Sequence, residues 1–315
     1  MTQQNKAYSL SYAFQRIANI DSLSLALAIR KEELIAIASE VNKYYHETTI
    51  PKKNGKERQI VRVDSRLKEV QVSIKRHILD HVLVPCYLMG GVKGKDFKLN
   101  AQQHCESRII IQEDIKDFYP SITDLHVYNI WKKFFKFDES VSKLLMQLTT
   151  FKGVLPQGTS TSVALANLAF FEREGMFFQW CKARQLNYTR YIDDICISSK
   201  RKISKKFKSE IIRKLYGMII GSGFKPQRSK HKSSTSGHRL NIMGQVVNTR
   251  NPTLPYEERK KIRATIHNLK TGKKSCLTKQ STEFRSAMGK INHLGRYHPK
   301  EAEKLKEVLL ECCRY

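Results

Sequence analysis

The sequence lacks any apolar run long enough to cross a bilayer, and no basic stretch followed by an apolar segment begins the chain. These absences predict a protein that is neither secreted nor embedded in a membrane. Cysteine is sparse: the seven cysteines are scattered, with no C-x-x-C pair and no matching histidine spacing, which argues against a disulfide framework or a zinc site. Reduced thiols of this kind are typical of a cytoplasmic protein.

Acidic residues are the other shortage, because 29 Asp and Glu stand against 57 Lys and Arg and leave a formal net charge of +28. Such an excess predicts an extended phosphate-binding surface and a polyanionic partner. A ribosomal or architectural binder would need no more than this charge, so the charge predicts what is bound without indicating catalysis. With 315 residues, the chain can form one large domain or two or three compact subdomains.

Apolar spacing and β-branched runs predict mixed helices and strands. A hairpin is predicted over residues 46–63, with Asn54-Gly55 and several lysines at its tip. A strand is predicted over 108–115, a second hairpin over 188–199, and a last strand pair around 240–247. Helices are predicted over residues 23–45, 65–84, 124–135, 140–148, 159–184 and 203–220, and from 256 to the C-terminus.

Asp193 and Asp194 interrupt the otherwise apolar second hairpin. Adjacent carboxylates repel each other and lose hydration there, so a neutralising cation is expected. Asp114 ends another β-branched strand, and three carboxylates suit Mg²⁺, which keeps its remaining positions for water and substrate phosphates. Taken alone, an Asp-Asp pair is more often a solvated turn, so this interpretation needs a second signal.

That second signal is the run Leu-Pro-Gln-Gly-Thr-Ser-Thr-Ser at residues 155–162, which lies about thirty residues before the aspartate pair. A helix that begins with small polar residues presents backbone donors to a nucleotide or a template base. An ordinary glycine turn followed by a hydroxyl cap is the alternative. The order of these motifs along the chain decides between them.

In that order, Asp-Ile-Lys-Asp-Phe-Tyr at 114–119, Leu-Pro-Gln-Gly at 155–158, Tyr-Ile-Asp-Asp at 191–194, and Gly223-Phe224 with Lys230 resemble the reverse transcriptases. The resemblance covers roughly residues 52–247. It implies RNA-directed DNA synthesis from deoxynucleoside triphosphates, with two Mg²⁺ ions.

The same resemblance implies an α+β right-hand polymerase fold with fingers, a palm containing an antiparallel sheet, and a helical thumb. Residues 1–50 are then an N-terminal helical segment, 51–250 the interleaved fingers and palm, and 251–315 the basic thumb. The catalytic metal ligands that it implies are Asp114, Asp193 and Asp194.

Four further positions match the nucleotide-binding residues of the family. Arg58 matches the finger arginine that grips the triphosphate, and a solvated strand charge is its alternative. Tyr119 matches the residue that excludes a 2′-hydroxyl by contact, a role that is compatible with a place in the core. Gln157 matches a residue that lines the nucleotide pocket, and Lys230 matches the lysine near the triphosphate, where Arg228 or Lys232 could serve instead.

Within this family, Asn-Ala-Gln-Gln-His at residues 100–104 matches the Asn-Ala-x-x-His signature of the bacterial retron enzymes. The chain departs from that group at residues 242–244, where Ile-Met-Gly replaces Val-Thr-Gly. His104 is expected to be structural. The segment 259–267 looks like a retron thumb helix. Its expected RNA-binding residues are Lys260, Lys261 and Arg263, and the alternative for them is a solvated helix face.

The resemblance implies a retron polymerase that copies a cognate structured non-coding RNA into branched, RNA-linked single-stranded DNA, and that works with a nearby-encoded effector protein in defence against phages. A group II intron enzyme is disfavoured because no maturase region follows the thumb. A diversity-generating enzyme is disfavoured because Gln157 is present. An inactive RNA-binding scaffold is disfavoured because it would not require the acidic trio.

Overall fold

The computed structural model describes residues 10–51, 55, 57–271 and 277–313. The strands are β1 (Ser11–Tyr12), β2 (Tyr45–Pro51), β3 (Glu57–Val63), β4 (Val82–Leu83), β5 (Ile109–Asp114), β6 (Asn187–Tyr191), β7 (Asp194–Ser199), β8 (Lys232–Thr235), β9 (Asn241–Ile242) and β10 (Gln245–Val246). The helices are α1 (Ile20–Leu27), α2 (Lys31–Ser39), α3 (Ser65–His77), α4 (Phe97–Gln102), α5 (Phe118–Ser121), α6 (Asp124–Asn129), α7 (Glu139–Thr149), α8 (Ser162–Leu168), α9 (Glu174–Ala183), α10 (Lys205–Gly221), α11 (Tyr256–Thr271), α12 (Thr282–Gly295) and α13 (Pro299–Glu311).

A four-stranded sheet in the order β6-β7-β5-β8 forms the centre of the molecule, and all its neighbouring strands are antiparallel. Apolar residues of β5 and β7 such as Ile111 and Ile195 are buried, which places these strands in the core. The predicted strand 108–115 and hairpin 188–199 are confirmed. Strand β8 was not predicted, because its Lys-Ser-Ser-Thr sequence lies at the sheet edge and carries no apolar alternation.

The predicted hairpin 46–63 is β2 paired with β3, in a register that runs from Tyr45 opposite Val63 to Pro51 opposite Glu57. The tip lysines Lys52, Lys53 and Lys56 lie outside the described residues. This finger hairpin is joined to the Leu-Pro-Gln-Gly turn, because the Val61 amide donates to the Gln157 carbonyl at 3.0 Å. The Leu-Pro-Gln-Gly turn therefore packs directly against β3 of the finger hairpin.

Several predicted helices are shorter or divided in the structure. The predicted helix 23–45 is α1 and α2, separated where Ala28 adopts a left-handed φ of 53°. The predicted helix 159–184 is α8 and α9, because the chain turns after Leu168 and brings Glu174 into the core. The predicted helix 65–84 ends at His77, since the chain then reaches β4, which pairs with β1. Apolar spacing cannot show such a distant pairing.

The described residues contain a small apolar cluster around Ile110 and Leu240, and two larger apolar cores that divide the chain. One joins the N-terminal helices, the finger hairpin, the sheet and helices up to α10, with Trp131 and Leu145 at its centre. The other lies within α11, α12 and α13 around Phe284 and Leu309. The Tyr297 hydroxyl bonds the Gln245 side chain at 2.8 Å and links the two parts. Within the described residues, no helix is long and apolar enough to cross a membrane.

Candidate active site

The three predicted aspartates lie together where the two central strands of the sheet, β5 and β7, end and begin. Asp114 ends β5 directly opposite Asp194, the first residue of β7. The hairpin closes with Tyr191 opposite Asp194, so Asp193 lies in a two-residue turn. The Ile115 amide donates to the Asp193 carbonyl at 3.3 Å and ties this turn to the end of β5. The structure therefore brings together residues that lie 79 and 80 positions apart in the sequence.

The surroundings of Asp194 disfavour its charged form. Loss of hydration, followed by the charges of Asp193 and Asp114, raises the pKa of Asp194 to about 6. Lys230 and Lys232 oppose this rise. The Lys230 ammonium lies 2.9 Å from an Asp114 carboxylate oxygen, and this hydrogen bond raises the pKa of Lys230. Asp194 thus lies where a further cation would be favourable.

The residues suit Mg²⁺ by their chemistry, since carboxylate oxygens are its usual protein ligands. Among the described residues, no group of three or more His, Cys, Asp or Glu is arranged as a finished metal site. Lys230 contacts one of the carboxylates that would be needed. The pKa of Asp194 is nevertheless raised, first by loss of hydration and then by the charges of Asp193 and Asp114, and a bound cation would oppose both effects.

A cleft of about 370 Å³ opens beside the aspartates. Its lining includes Lys232, which the sequence offered as an alternative to Lys230, and Arg239, which the sequence motifs did not indicate. The lining residues that contribute polar or flexible groups include Asn100, Asp114, Asp194, Lys230, Lys232, Arg239, Asn241 and Met243. Two carboxylates facing cations in one open cleft form a site suited to a phosphate-bearing ligand with its metal ion.

Glu113 is a functional candidate that the sequence did not reveal. It precedes Asp114 and is buried, and its carboxylate bonds the His231 ring at 2.8 Å and the Tyr216 hydroxyl at 3.0 Å. These contacts tie β5 to α10 and to the segment that carries Lys230. An acidic residue beside Asp114 was the available signal, but its partners lie more than one hundred residues away.

Gln157 lies in the turn against which the finger hairpin packs. Gly158 has a φ of 112°, and a Cβ there would meet the Val61 carbonyl at 3.0 Å. Glycine is therefore required for the hairpin to approach. Arg58 stands in β3 with its backbone opposite Ile50. Its side chain lies outside the described part of the structure, so the contact with a triphosphate stays a prediction.

Tyr119 lies in α5, in the segment that follows β5. Its side chain is partly buried and packs against the large core, with its ring centroid 6.0 Å from that of Phe118. The predicted core contact and the predicted nucleotide contact are compatible, because a partly buried ring still presents an edge. Of the alternatives to Lys230, Lys232 lines the cleft, whereas the Arg228 guanidinium lies over the Tyr216 ring.

The Asn100–His104 segment reaches the back of the same hairpin. His104 is fully buried, with one ring nitrogen 2.8 Å from the Ser198 hydroxyl and the other 2.7 Å from the Thr189 hydroxyl. Burial lowers its pKa to about 3, so the ring is neutral. Asn100 lines the cleft and contacts the Met243 sulfur at 3.4 Å. The segment thus connects β6 and β7 to the Ile-Met-Gly loop.

The three predicted RNA-binding residues on α11 differ in their surroundings. Arg263 lies 2.5 Å from a Glu301 carboxylate oxygen, and Lys261 lies 2.8 Å from one of Glu258. Lys260 is exposed. Two of the three cations are therefore paired with acids of the same chain.

Comparisons with known proteins show the family of this chain. A family model described as reverse transcriptase (RNA-dependent DNA polymerase) matches residues 50–287. The chain is 32% identical to the retron Se72 reverse transcriptase of Salmonella heidelberg (strain 579083-10), over 94% of this chain and 79% of that protein. It is 31% identical to the retron Ec48 reverse transcriptase of Escherichia coli, over 96% and 78%, and 28% identical to the retron Ec86 enzyme of Escherichia coli, over 82% and 80%. A solved foamy viral protease-reverse transcriptase in complex with double-stranded DNA aligns with 95% of this chain and 45% of its own, at 15% identity and a TM-score of 0.45.

Proposed function

Because the chain belongs to the retron reverse transcriptases, we propose that it copies a cognate structured non-coding RNA into branched, RNA-linked single-stranded DNA. Its RNA-directed DNA polymerase activity and its right-hand polymerase fold follow from the family. The branched product and the cognate RNA are the proposed part. The pairing of Asp114 with Asp194, with Asp193 in the adjoining turn, is the observation that carries the polymerase chemistry, and the likeness to the retron reverse transcriptases supports the branched product.

In this proposal, Asp114, Asp193 and Asp194 hold the catalytic metal ions. Two Mg²⁺ ions, when bound there, would activate the attacking hydroxyl and stabilise the departing pyrophosphate. The raised pKa of Asp194 supports this role, because a group that tends to hold a proton in the free protein gains most from a nearby cation. Lys230 leaves Asp114 and contacts a triphosphate oxygen, which offers a stronger negative charge than one carboxylate.

The remaining residues position the nucleotide. Arg58 binds the triphosphate from the finger hairpin, Gln157 lines the pocket from its turn, and Tyr119 contacts the sugar. The hydrogen bond between Val61 and Gln157 supports this arrangement, since it holds the hairpin and the turn together. A sugar with a 2′-hydroxyl would collide with the Tyr119 ring.

The same proposal divides the chain into an N-terminal segment over 1–50, fingers and palm over 51–250, and a thumb over 251–315. The separate apolar core of α11 to α13 supports the last boundary. The thumb binds structured RNA through Lys260, Lys261 and Arg263. It holds one internal 2′-hydroxyl of that RNA beside the aspartates, where orientation supplies much of the rate.

The product tests the proposal. The protein is expressed together with the RNA encoded directly upstream, nucleic acid is extracted and digested with ribonuclease, and half of it is treated with a debranching enzyme that cleaves 2′,5′ linkages. We expect a discrete short DNA whose mobility changes on debranching. Discrete DNA with unchanged mobility would reduce the proposal to a general reverse transcriptase.

We further propose that the enzyme works in the cytoplasm with an effector protein encoded nearby in defence against phages. Cys86, Cys105, Cys181 and Cys196 are free thiols, which suits a reducing compartment. The test is phage plating on cells that carry the enzyme, its RNA and the neighbouring gene. The control cells carry Asp193→Asn, and equal plaque counts on the two strains would contradict the proposal.

A further inference from the structure

A fully buried arginine, Arg190, contacts the two-residue turn of Ile192 and Asp193 that joins β6 to β7. Arg190 is a β6 residue with 0% of its side chain exposed, and it forms an ion pair with Glu174 of α9, which is buried as completely. The Arg190 Nε lies 2.6 Å from one Glu174 oxygen, and one terminal nitrogen lies 2.8 Å from the other. The Tyr188 hydroxyl donates to the same carboxylate at 2.6 Å. The pair is therefore compensated and fixed in orientation.

The remaining N–H groups of Arg190 contact Asn167 and the turn that precedes Asp193. One terminal nitrogen donates to the Asn167 carbonyl at 2.9 Å, and the other donates to the Ile192 carbonyl at 2.9 Å and approaches the Asn167 side chain at 3.4 Å. A guanidinium has five N–H donors, so this set uses all of them. A lysine has three donors on one nitrogen and could not reach both Glu174 and Ile192 in this way.

The Ile192 carbonyl is the important acceptor. It belongs to the peptide unit that also contains the Asp193 nitrogen, and because that unit is planar, fixing the oxygen fixes the direction in which the chain enters Asp193. Ile192 has a φ of 61°, a left-handed conformation that is unfavourable for a β-branched residue. Such a conformation persists only where its surroundings determine it.

The opposite side of the turn is closed by Gly90. A Cβ on Gly90 would lie 2.8 Å from the Ile192 backbone nitrogen, so only glycine fits without moving the turn. The Asn167 amide donates to the Gly90 carbonyl at 2.8 Å. Asn167 thus connects Arg190 on one side of the turn to Gly90 on the other.

We propose that Arg190 is a positioning residue, which, anchored on Glu174, holds the Ile192–Asp193 peptide and so sets the place of Asp193 relative to Asp114 and Asp194. This proposal rests on the proposed catalytic role of the aspartates. Arg190 contacts neither nucleotide nor metal, and it acts through the turn.

The first test removes the contact without leaving a buried charge. Arg190→Met alone would strand the Glu174 carboxylate, so it is combined with Glu174→Gln, whose amide oxygen still accepts from Tyr188. We expect kcat for single-nucleotide addition to fall about 10- to 100-fold and the half-saturating Mg²⁺ concentration to rise, because small displacements of catalytic groups have effects of this size. The KM for nucleotide and the Kd for template–primer should stay within about twofold, since neither contact surface changes.

The matched control is Gln71→Met. Gln71 is also fully buried, but it donates to the Tyr45 hydroxyl at the base of the finger hairpin and to the Leu148 carbonyl, and it contacts neither β6 nor β7 through these bonds. Its loss should lower the melting temperature and leave kcat and the Mg²⁺ dependence at wild-type values. If the folded double variant keeps wild-type kcat and Mg²⁺ dependence, or if Gln71→Met changes both as strongly, Arg190 has no positioning role.

Gly90→Ala moves the same turn without changing a buried charge, so it decides the question if the double variant does not fold. Its control is Gly217→Ala in α10, where an added Cβ meets nothing within 4 Å. We expect kcat to fall in the first and not in the second, and wild-type kcat in folded Gly90→Ala would overturn the proposal.

Asp193→Asn, measured alongside, distinguishes a failure of the catalytic assignment from a failure of the positioning inference. If it stays active, the catalytic assignment itself is wrong, whereas if it is inactive while the Arg190 and Gly90 variants behave as wild type, only the positioning inference fails.

Discussion

The hairpin of β6 and β7 and the helices α11 to α13 use charged residues in opposite ways. Arg190 of the hairpin and Glu174 of α9 are fully buried and bonded to each other. In the helices, Arg263 and Glu301 form an ion pair with 36% and 21% of the side chains exposed. A buried pair cannot exchange its partner without stranding a charge, whereas a surface pair is worth little and exchanges readily.

This difference matches two different tasks. Carboxylates that hold metal ions must be kept within a fraction of an ångström of the productive position, which requires surroundings with one arrangement. A surface that binds the phosphates of a folded RNA needs cations that can adapt, and in the proposed function a phosphate takes the place of Glu301 beside Arg263. The comparison predicts that changes at the hairpin reduce catalysis, and that changes on α11 reduce RNA binding.

The largest effect is expected from Asp193→Asn or Asp194→Asn. Either change removes a proposed metal ligand, so primer extension with Mg²⁺ should fall by on the order of 10³-fold or more. RNA binding should stay near wild type, because the change leaves the net charge of +28 almost unaltered. Primer extension and RNA titration measure the two quantities, with Asp21→Asn at an exposed ion pair as control. Near wild-type extension by either variant would show that the metal site has been misplaced.

His104, buried against the same hairpin of β6 and β7, should make the stability of the fold depend on pH. The native pKa of His104 is about 3, against an ordinary value of 6.5, so below pH 6.5 the unfolded chain binds a proton that the folded protein excludes. The contribution of His104 to stability is therefore complete above pH 6.5 and is lost as the pH falls toward 3. Between pH 6.5 and 5 the loss should approach about 2 kcal/mol.

Urea unfolding of the wild type and of His104→Asn between pH 7.5 and 5 measures this term. The variant has no titrating group at this position, so its free energy of unfolding should fall less steeply than that of the wild type. Parallel curves for the two proteins would mean that His104 is not buried in its neutral form.

Tyr119→Ala tests whether the rigid side of the site also acts as a steric filter. Removal of the ring opens space for a 2′-hydroxyl, so the preference for deoxynucleotides over ribonucleotides should fall roughly tenfold or more. Tyr119→Phe keeps the ring and should keep the preference. The ratio of kcat/KM values for the two nucleotides is the measurement, and an equal ratio in wild type and Tyr119→Ala would remove Tyr119 from this role.

What the sequence could predict follows the same division. The finger hairpin and the Asp193-Asp194 turn were predicted because their signals are local: β-branched runs, turn residues and adjacent acids. Arg190 and Glu174 were missed because their meaning depends on burial and on each other, across sixteen positions. For the same reason, the run that contains Arg263 looked like a uniform basic face until Glu301, thirty-eight positions later, lay beside it. Residue type is visible in a sequence, but the partner is not.

The smallest effects are expected on α11, where they sharpen the comparison most. The logarithm of the RNA association constant falls with the logarithm of the salt concentration, and each phosphate contact that is lost reduces the magnitude of this slope by about 0.7 to 0.9. Lys260→Gln should show such a decrease, because Lys260 is exposed, whereas Lys261→Gln and Arg263→Gln should show less, since each first has to leave an acid. Lys143→Gln is the matched control, a surface lysine 2.6 Å from Glu139 on α7. Titration of the cognate RNA at several salt concentrations gives the four slopes. If Lys260→Gln binds with the salt slope of the wild type, the basic run is a solvated helix face. The surface that binds the RNA phosphates then lies elsewhere on the thumb.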